Sequence, residues 1–283
     1  MVRFPEQKDY FVGVDSDGCA FDTMELKHRQ VFIPQAIESL DLHDIDDEYR
    51  KVAESVNLYS RSRGANRFEA LALCLDRLRL NRSLVKRVPD PDPIWAFVRS
   101  GQPLSNDSFA EYVETHDTDL MRRVLHWSSE SNRRIAETVV DNPPFSGVRE
   151  MLSDAHDFAN TMIVSATPGA ALRQEWGAAQ LLADVDVIAG QEAGSKKTQL
   201  ASAMETGFET DKALMVGDAP GDHAAADANG ILFFPIVPGH EVNSWLELRA
   251  EGLARLREGR FRGSYQDGLL QAYYDALDGH RGA

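Results

Sequence analysis

YFVGVDSDGCAFD, residues 10–22, runs five strand-forming residues, Tyr10 to Val14, straight into Asp15, Ser16, Asp17 and Gly18. An unbroken apolar run of this length is the mark of a strand buried on both faces, and such strands belong to parallel sheets covered by helices. In an open α/β sheet, ligands bind at the carboxyl ends of the strands. Two carboxylates one residue apart at such an end form either a metal-and-phosphate centre or an acidic turn. The rest of the chain decides between them.

Outward from Asp22 the pattern becomes helical and stays so. Residues 23–40, 46–59, 68–80, 107–115 and 119–140 carry apolar side chains at helical spacing. The segment VPDPDP, residues 88–93, cannot sustain a helix, because Pro89, Pro91 and Pro93 lack donors and restrict the residues before them. Asn142-Pro143-Pro144 closes this block, so residues 23–141 read as an all-helical insertion. Alternation then resumes: helix 148–157, strand 161–164, helix 170–182, strand 185–188, helix 196–206, strand 213–216, helix 222–229 with Gly230 as its left-handed stop, and strand 231–234. Strands alternating with helices predict a doubly wound parallel sheet with right-handed crossovers. The core is thus residues 1–22 and 142–283, with residues from about 240 onward a helical extension, and 23–141 a second domain.

The net charge of −15 argues against nucleic acid or an anionic membrane as partner. It also repels a phosphorylated substrate at long range, so a phosphate site needs local cations or a metal. Only two cysteines occur, Cys19 and Cys74, outside any CxxC spacing, which fits a reducing compartment. The first ten residues lack the apolar core of a signal peptide and no run approaches a membrane span, so a cytoplasmic protein is expected. Oligomeric state leaves no mark in the sequence.

Four polar signals fall at the ends of successive strands: Asp15 with Asp17, then Ser165, then Lys196 or Lys197, then Asp218 with Asp222. In order and in strand context, FVGVDSDG, MIVSATP, GSKKTQL and LMVGDAPGD resemble the motifs of the haloacid dehalogenase superfamily of aspartate-nucleophile phosphohydrolases. The resemblance covers residues 10–22 and 145–237.

That resemblance implies roles. Asp15 would attack phosphorus and form an aspartyl-phosphate. Asp17 would act as acid and base, Ser165 would donate to a phosphoryl oxygen, and Lys196 (or Lys197) would supply fixed positive charge. Ala166 and Thr167, which follow Ser165, join the substrate-side candidates. Mg²⁺ would be held by Asp15, the backbone carbonyl of Asp17, Asp218 and Asp222. Ser165 and Asp222 also read as helix caps, and Cys19 as a small filler. The helical insertion corresponds to a large cap of the first type, which would exclude water and recognise the substrate away from phosphorus. Within it, Arg63, Gly64, Asn66 and Arg67 suit a bidentate anion contact. The expected activity is Mg²⁺-dependent hydrolysis of a small phosphorylated metabolite. A phosphomutase uses the same Asp pair, and a phospho-acceptor receiver module shares the acidic pocket but is small and carries no such insertion.

Overall fold

In the computed structural model, which describes residues 2–138 and 142–279, the opening stretch forms strand β1 (Tyr10–Val14), fully buried from Phe11 onward. Beyond it the backbone turns through Gly18, whose φ of 79° lies in the left-handed region. The chain divides into two compact units, Met1–Thr23 with Asp141–Gly279, and Met24–Val140.

The second unit is all-helical. It comprises α1 (Thr23–Lys27, whose first residue belongs to the other unit), α2 (Ile33–Leu40), α3 (Asp46–Leu58), α4 (Arg67–Arg79), α5 (Asp92–Val98), α6 (Asn106–Thr115) and α7 (Asp119–Thr138). The helix expected over 23–40 is continuous but widened at His28–Phe32 into a π-turn, in which the Ile33 amide reaches back to the His28 carbonyl. Pro34 follows at once and has no amide to offer, so the irregular turn falls where regular bonding is broken anyway. Helix α5 emerges from the proline-rich segment that the sequence left unstructured. It starts at Asp92 with Pro93 in its first turn, where a missing N–H costs nothing. Its Phe97 packs edge-on to Phe109 at 4.8 Å, while Phe68 stacks on Phe109 at 4.5 Å. These rings centre the unit's core.

The chain re-enters the first unit alongside its exit. Pro144 bridges Phe21, and the Phe145 amide donates to the Ala20 carbonyl at 2.9 Å. There follow α8 (Val148–His156), β2 (Ala159–Val164), α9 (Gly169–Ala178), β3 (Val187–Ala189), α10 (Lys196–Met204), β4 (Ala213–Gly217), α11 (Pro220–Ala228), β5 (Leu232–Pro235), α12 (Glu241–Glu247), α13 (Leu253–Arg257) and α14 (Ser264–Gly279). Helix α9 ends four residues short of its expected limit, because Gln180 takes a left-handed φ of 56° and breaks the spiral.

All five strands are parallel in the order β3-β2-β1-β4-β5, the doubly wound α/β sheet that the alternation predicts. Both faces are buried. Val12, Val14, Ile163, Leu214, Val216 and Phe234 pack under α8, α9, α12 and α13. Their alternates Phe11, Met162, Val164, Met215 and Phe233 pack under α10, α11 and α14. This is the period-2 division that makes a doubly covered strand read as a solid apolar run. Among the described residues, no helix is long and apolar enough to cross a membrane.

Candidate active site

Register brings the strand ends together. Val14 pairs with Ile163 on one side and Val216 on the other. The ladder continues one residue further, where the Asp15 amide donates to the Val216 carbonyl and the Ser165 amide to the Ala189 carbonyl, each at 3.0 Å. Asp15, Ser165 and Asp218 therefore begin their loops at one level on adjacent strands.

Asp15, Asp218 and Asp222 are all buried, and each offers a carboxylate oxygen such that the three lie within 4.8 Å of one another. Lys196 Nζ stands 2.8 Å from Asp15 Oδ2 and 2.5 Å from Asp222 Oδ1. Ser195 caps α10 by accepting from the Thr198 amide at 3.2 Å, which makes Lys196 the helix's first residue and aims it inward. Lys197 is exposed, whereas Lys196 reaches both carboxylates. Burial pushes the Asp15 carboxyl well above the usual range; Lys196 pulls against this, and Asp222 and Asp218 add to it. Burial opposes the charge on Lys196, but Asp15 and Asp222 more than offset it and hold the ammonium above the ordinary lysine range. Three carboxylates facing one ammonium leave surplus negative charge. An all-oxygen set of this kind fits a hard divalent cation.

Asp222 sits in the first turn of α11, where its Oδ2 accepts from the Ala219 amide at 3.0 Å. Cap and candidate ligand coincide in one side chain. It can approach β4 only because position 217 is glycine, since a Cβ there would lie 2.5 Å from both Asp222 Cβ and Oδ2. Gly217→Ala is expected to push Asp222 out of the cluster and to cost about 1–3 kcal/mol of stability through overpacking. A displacement near 1 Å is also expected to lower any metal-dependent turnover about 10²-fold. Thermal melts and rates of the variant check both; unchanged turnover would show that Asp222 is not needed where it stands.

Asp17 is held differently. Thr167 Oγ1 donates to its Oδ2 at 2.8 Å, and Thr23 Oγ1 donates to its Oδ1. The side chain is thus held by two hydroxyls, one from the loop after β2 and one from the start of α1. Ser165 is buried, and its Oγ accepts from the Thr167 amide at 3.2 Å, closing a small turn that leaves Ala166 exposed. Gln199 Nε2 lies within 3.0 Å of the carbonyls of Ser165, Gly190 and Gly194, tying the β2 end to the β3–α10 loop. Ser16 faces away and accepts from Trp176 Nε1 at 2.9 Å. The Cys19 thiol is buried against the Val216 carbonyl, and burial pushes it well above the usual range, which disfavours the thiolate.

Of the residues singled out in the sequence, the structure gathers Asp15, Asp17, Ser165, Thr167, Lys196, Asp218 and Asp222. Thr23, Gln199 and Ser195 were not singled out, and of these only Ser195 had a local signal, its place just before a helix. Arg63, Gly64, Asn66 and Arg67 belong to the helical unit. There Arg63 is buried and donates to the Leu58 carbonyl at 2.7 Å. Gly64 takes a φ of 76°. Asn66 caps α4, accepting from the Phe68 amide at 3.0 Å and donating to the Leu104 carbonyl at 2.9 Å. Arg67 reaches Asn132 Oδ1 at 2.7 Å and lies over the Phe32 ring. It lines a cavity of ≈ 20 Å³ with His28, Tyr49 and Trp127, and burial brings its guanidinium down to about 10.

No protein-family model matches the sequence, and no curated protein matches it. Solved structures do resemble the fold. A protein assigned as phosphoglycolate phosphatase from Lactobacillus delbrueckii subsp. bulgaricus is 14% identical over 88% of this chain and 98% of its own, with a TM-score of 0.51. A haloacid dehalogenase-like hydrolase from Streptococcus pneumoniae, also 14% identical, gives 0.46 over 83% of this chain and 90% of its own. A subfamily IA hydrolase of the same superfamily from Geobacter sulfurreducens gives 0.41 at 14%, over 82% and 90%. With its five parallel strands and its helical insertion after the first of them, this chain shares the fold of the Lactobacillus protein.

Proposed function

We propose that this chain is a phosphatase that hydrolyses a small phosphorylated metabolite through an aspartyl-phosphate on Asp15, with Mg²⁺ as cofactor. The observation that carries this reading is the cluster of buried Asp15, Asp218 and Asp222, with Lys196 on two of them and Asp17 held by Thr167. A divalent cation held by Asp15, Asp218 and Asp222 would neutralise charge on the phosphoryl oxygens. The chain's own residues supply the rest. A carboxylate oxygen of Asp15 attacks phosphorus as the bond to the leaving oxygen breaks, and Asp17 gives that oxygen its proton. Asp17, now ionised, takes a proton from water, whose oxygen displaces Asp15 from phosphorus. Inorganic phosphate leaves, and both carboxyl groups return to their starting states. Lys196 keeps positive charge against the transferring group, and the Ser165 hydroxyl donates to one of its oxygens.

The test uses protein stripped of metal, assayed for phosphate release across a panel of phosphometabolites with and without Mg²⁺. Release is expected only with the ion, falling at least about 100-fold without it. Silence across the panel with Mg²⁺ present would overturn the reading. Interconversion of hexose phosphate isomers without phosphate release would make the chain a phosphomutase instead.

A further inference from the structure

The carboxylate cluster has a support that comes from outside the alternating core. Helix α14, in the C-terminal extension, packs against β5 and places two consecutive tyrosines against the loop that carries Asp218 and the helix that carries Asp222. Tyr273 is wholly buried, and its hydroxyl donates to the Asp218 backbone carbonyl at 2.9 Å. That carbonyl shares a peptide plane with the Ala219 amide, which donates to Asp222 Oδ2 at 3.0 Å. One rigid group is therefore gripped at both ends, its oxygen by Tyr273 and its nitrogen by Asp222. The Cα on its oxygen side carries the Asp218 side chain.

We propose that Tyr273 is a positioning residue for Asp218 and Asp222 together, acting through the peptide plane between residues 218 and 219. The inference rests on the reading that these carboxylates hold a divalent cation. Without the Tyr273 hydroxyl, the plane loses this restraint on its oxygen, and rotation about the bonds on either side would swing the Ala219 N–H off Asp222 and turn the Asp218 side chain. Accepting a hydrogen bond at the carbonyl also polarises the amide and strengthens its N–H as a donor. Binding constellations tolerate displacements of only about 0.5 Å, and loss of a partner that orients a ligand typically costs about 10- to 100-fold in metal affinity.

The experiment measures Mn²⁺ binding to metal-stripped full-length protein by the spin-resonance signal of the free ion, with no substrate present. Tyr273→Phe removes one oxygen atom and is expected to weaken Mn²⁺ binding about 10-fold. Tyr274→Phe, on the same helix with its hydroxyl 2.8 Å from His223 Nδ1, is expected to bind as the parent does. Equal weakening by both variants would mean a loosened helix and would overturn the proposal, as would parent-like binding by Tyr273→Phe. A parent protein that binds no Mn²⁺ would instead overturn the metal reading on which the inference stands. Should Tyr273→Phe fail to fold, 3-fluorotyrosine at 273 keeps the shape and makes the hydroxyl a stronger donor. Tighter Mn²⁺ binding is then expected, and an unmoved affinity counts against the proposal.

Discussion

Asp15→Asn is expected to abolish phosphate release, by at least about 10⁴-fold, because the amide that replaces the carboxylate is no nucleophile and nothing nearby can take its place. The neighbouring carboxylates do not substitute. Asp218 and Asp222 are committed to the cluster with Lys196, and Asp17 is fastened to Thr167 and Thr23. Stability should move the other way. In the metal-free protein Asp15 is a buried carboxyl whose ionised form is disfavoured by burial and by two like charges. A neutral side chain of the same shape removes that penalty, while Lys196 keeps Asp222 as its partner. The metal-free variant should melt no lower than the parent, and added Mg²⁺ should raise its melting point less, since one ligand is gone. Rates beside melts read both effects. Turnover equal to the parent's would end the aspartyl-phosphate mechanism, and lost folding would show that Asp15 is structural.

Lys196→Met is the second large effect, and it separates charge balance from catalysis. Removing one partner of a buried, hydrogen-bonded charge pair typically costs about 3–5 kcal/mol, because the other partner is left uncompensated. Here two carboxylates lose their ammonium at once. Without metal the variant should therefore be destabilised by about that amount, and a divalent ion should recover more stability than it adds to the parent. Its cation midpoint should fall, since three carboxylates attract the ion with no lysine competing. Turnover should nevertheless drop by about 10²- to 10³-fold, for want of fixed positive charge at the transferring group. Lys197→Met, one residue along but exposed, should lie within about 0.5 kcal/mol of the parent and keep its rate. If instead Lys197→Met loses activity and Lys196→Met does not, the assignment of the lysine is wrong.

The sheet was legible because its strands are covered on both faces. Residues 10–14, 213–216 and 231–234 read as solid apolar runs, and each sits in a strand within a residue of those limits. Strand β2 begins two residues earlier than its apolar run, at Ala159 and Asn160. Asn160 is a buried polar residue that sequence pattern counts against a strand, yet its side chain is satisfied by the Glu6 carbonyl and Asp186. Helix α5 was hidden for a related reason. Proline density argues against a helix, whereas proline in a first turn argues for one, and only the fold says which applies at Pro93. In the site, residues at strand ends could be found by their place in the alternation. Thr23, Gln199 and Tyr273 could not. Gln199 and Tyr273 act through hydrogen bonds to backbone carbonyls, and Thr23 through one to a side chain across a turn, and no apolar period along the chain encodes such bonds.

The pairing of Phe21 with Pro144 bears on how the sheet assembles. Tyr10 must find Ala159 before the centre of the sheet exists, and in an unfolded chain that means closing a loop that includes the whole insertion. The entropic cost of such closure grows only logarithmically, about 0.6 kcal/mol for each doubling of loop length. Search time still lengthens when the first productive contacts are non-local. Collapse of residues 24–138 onto their own aromatic core would remove most of that loop from the search. The exit and entry segments beside Ala20 and Phe145 then join the partners of the central ladder through a short tether. For the kinetics of the sheet, the insertion is a long loop while unfolded and a short one once folded.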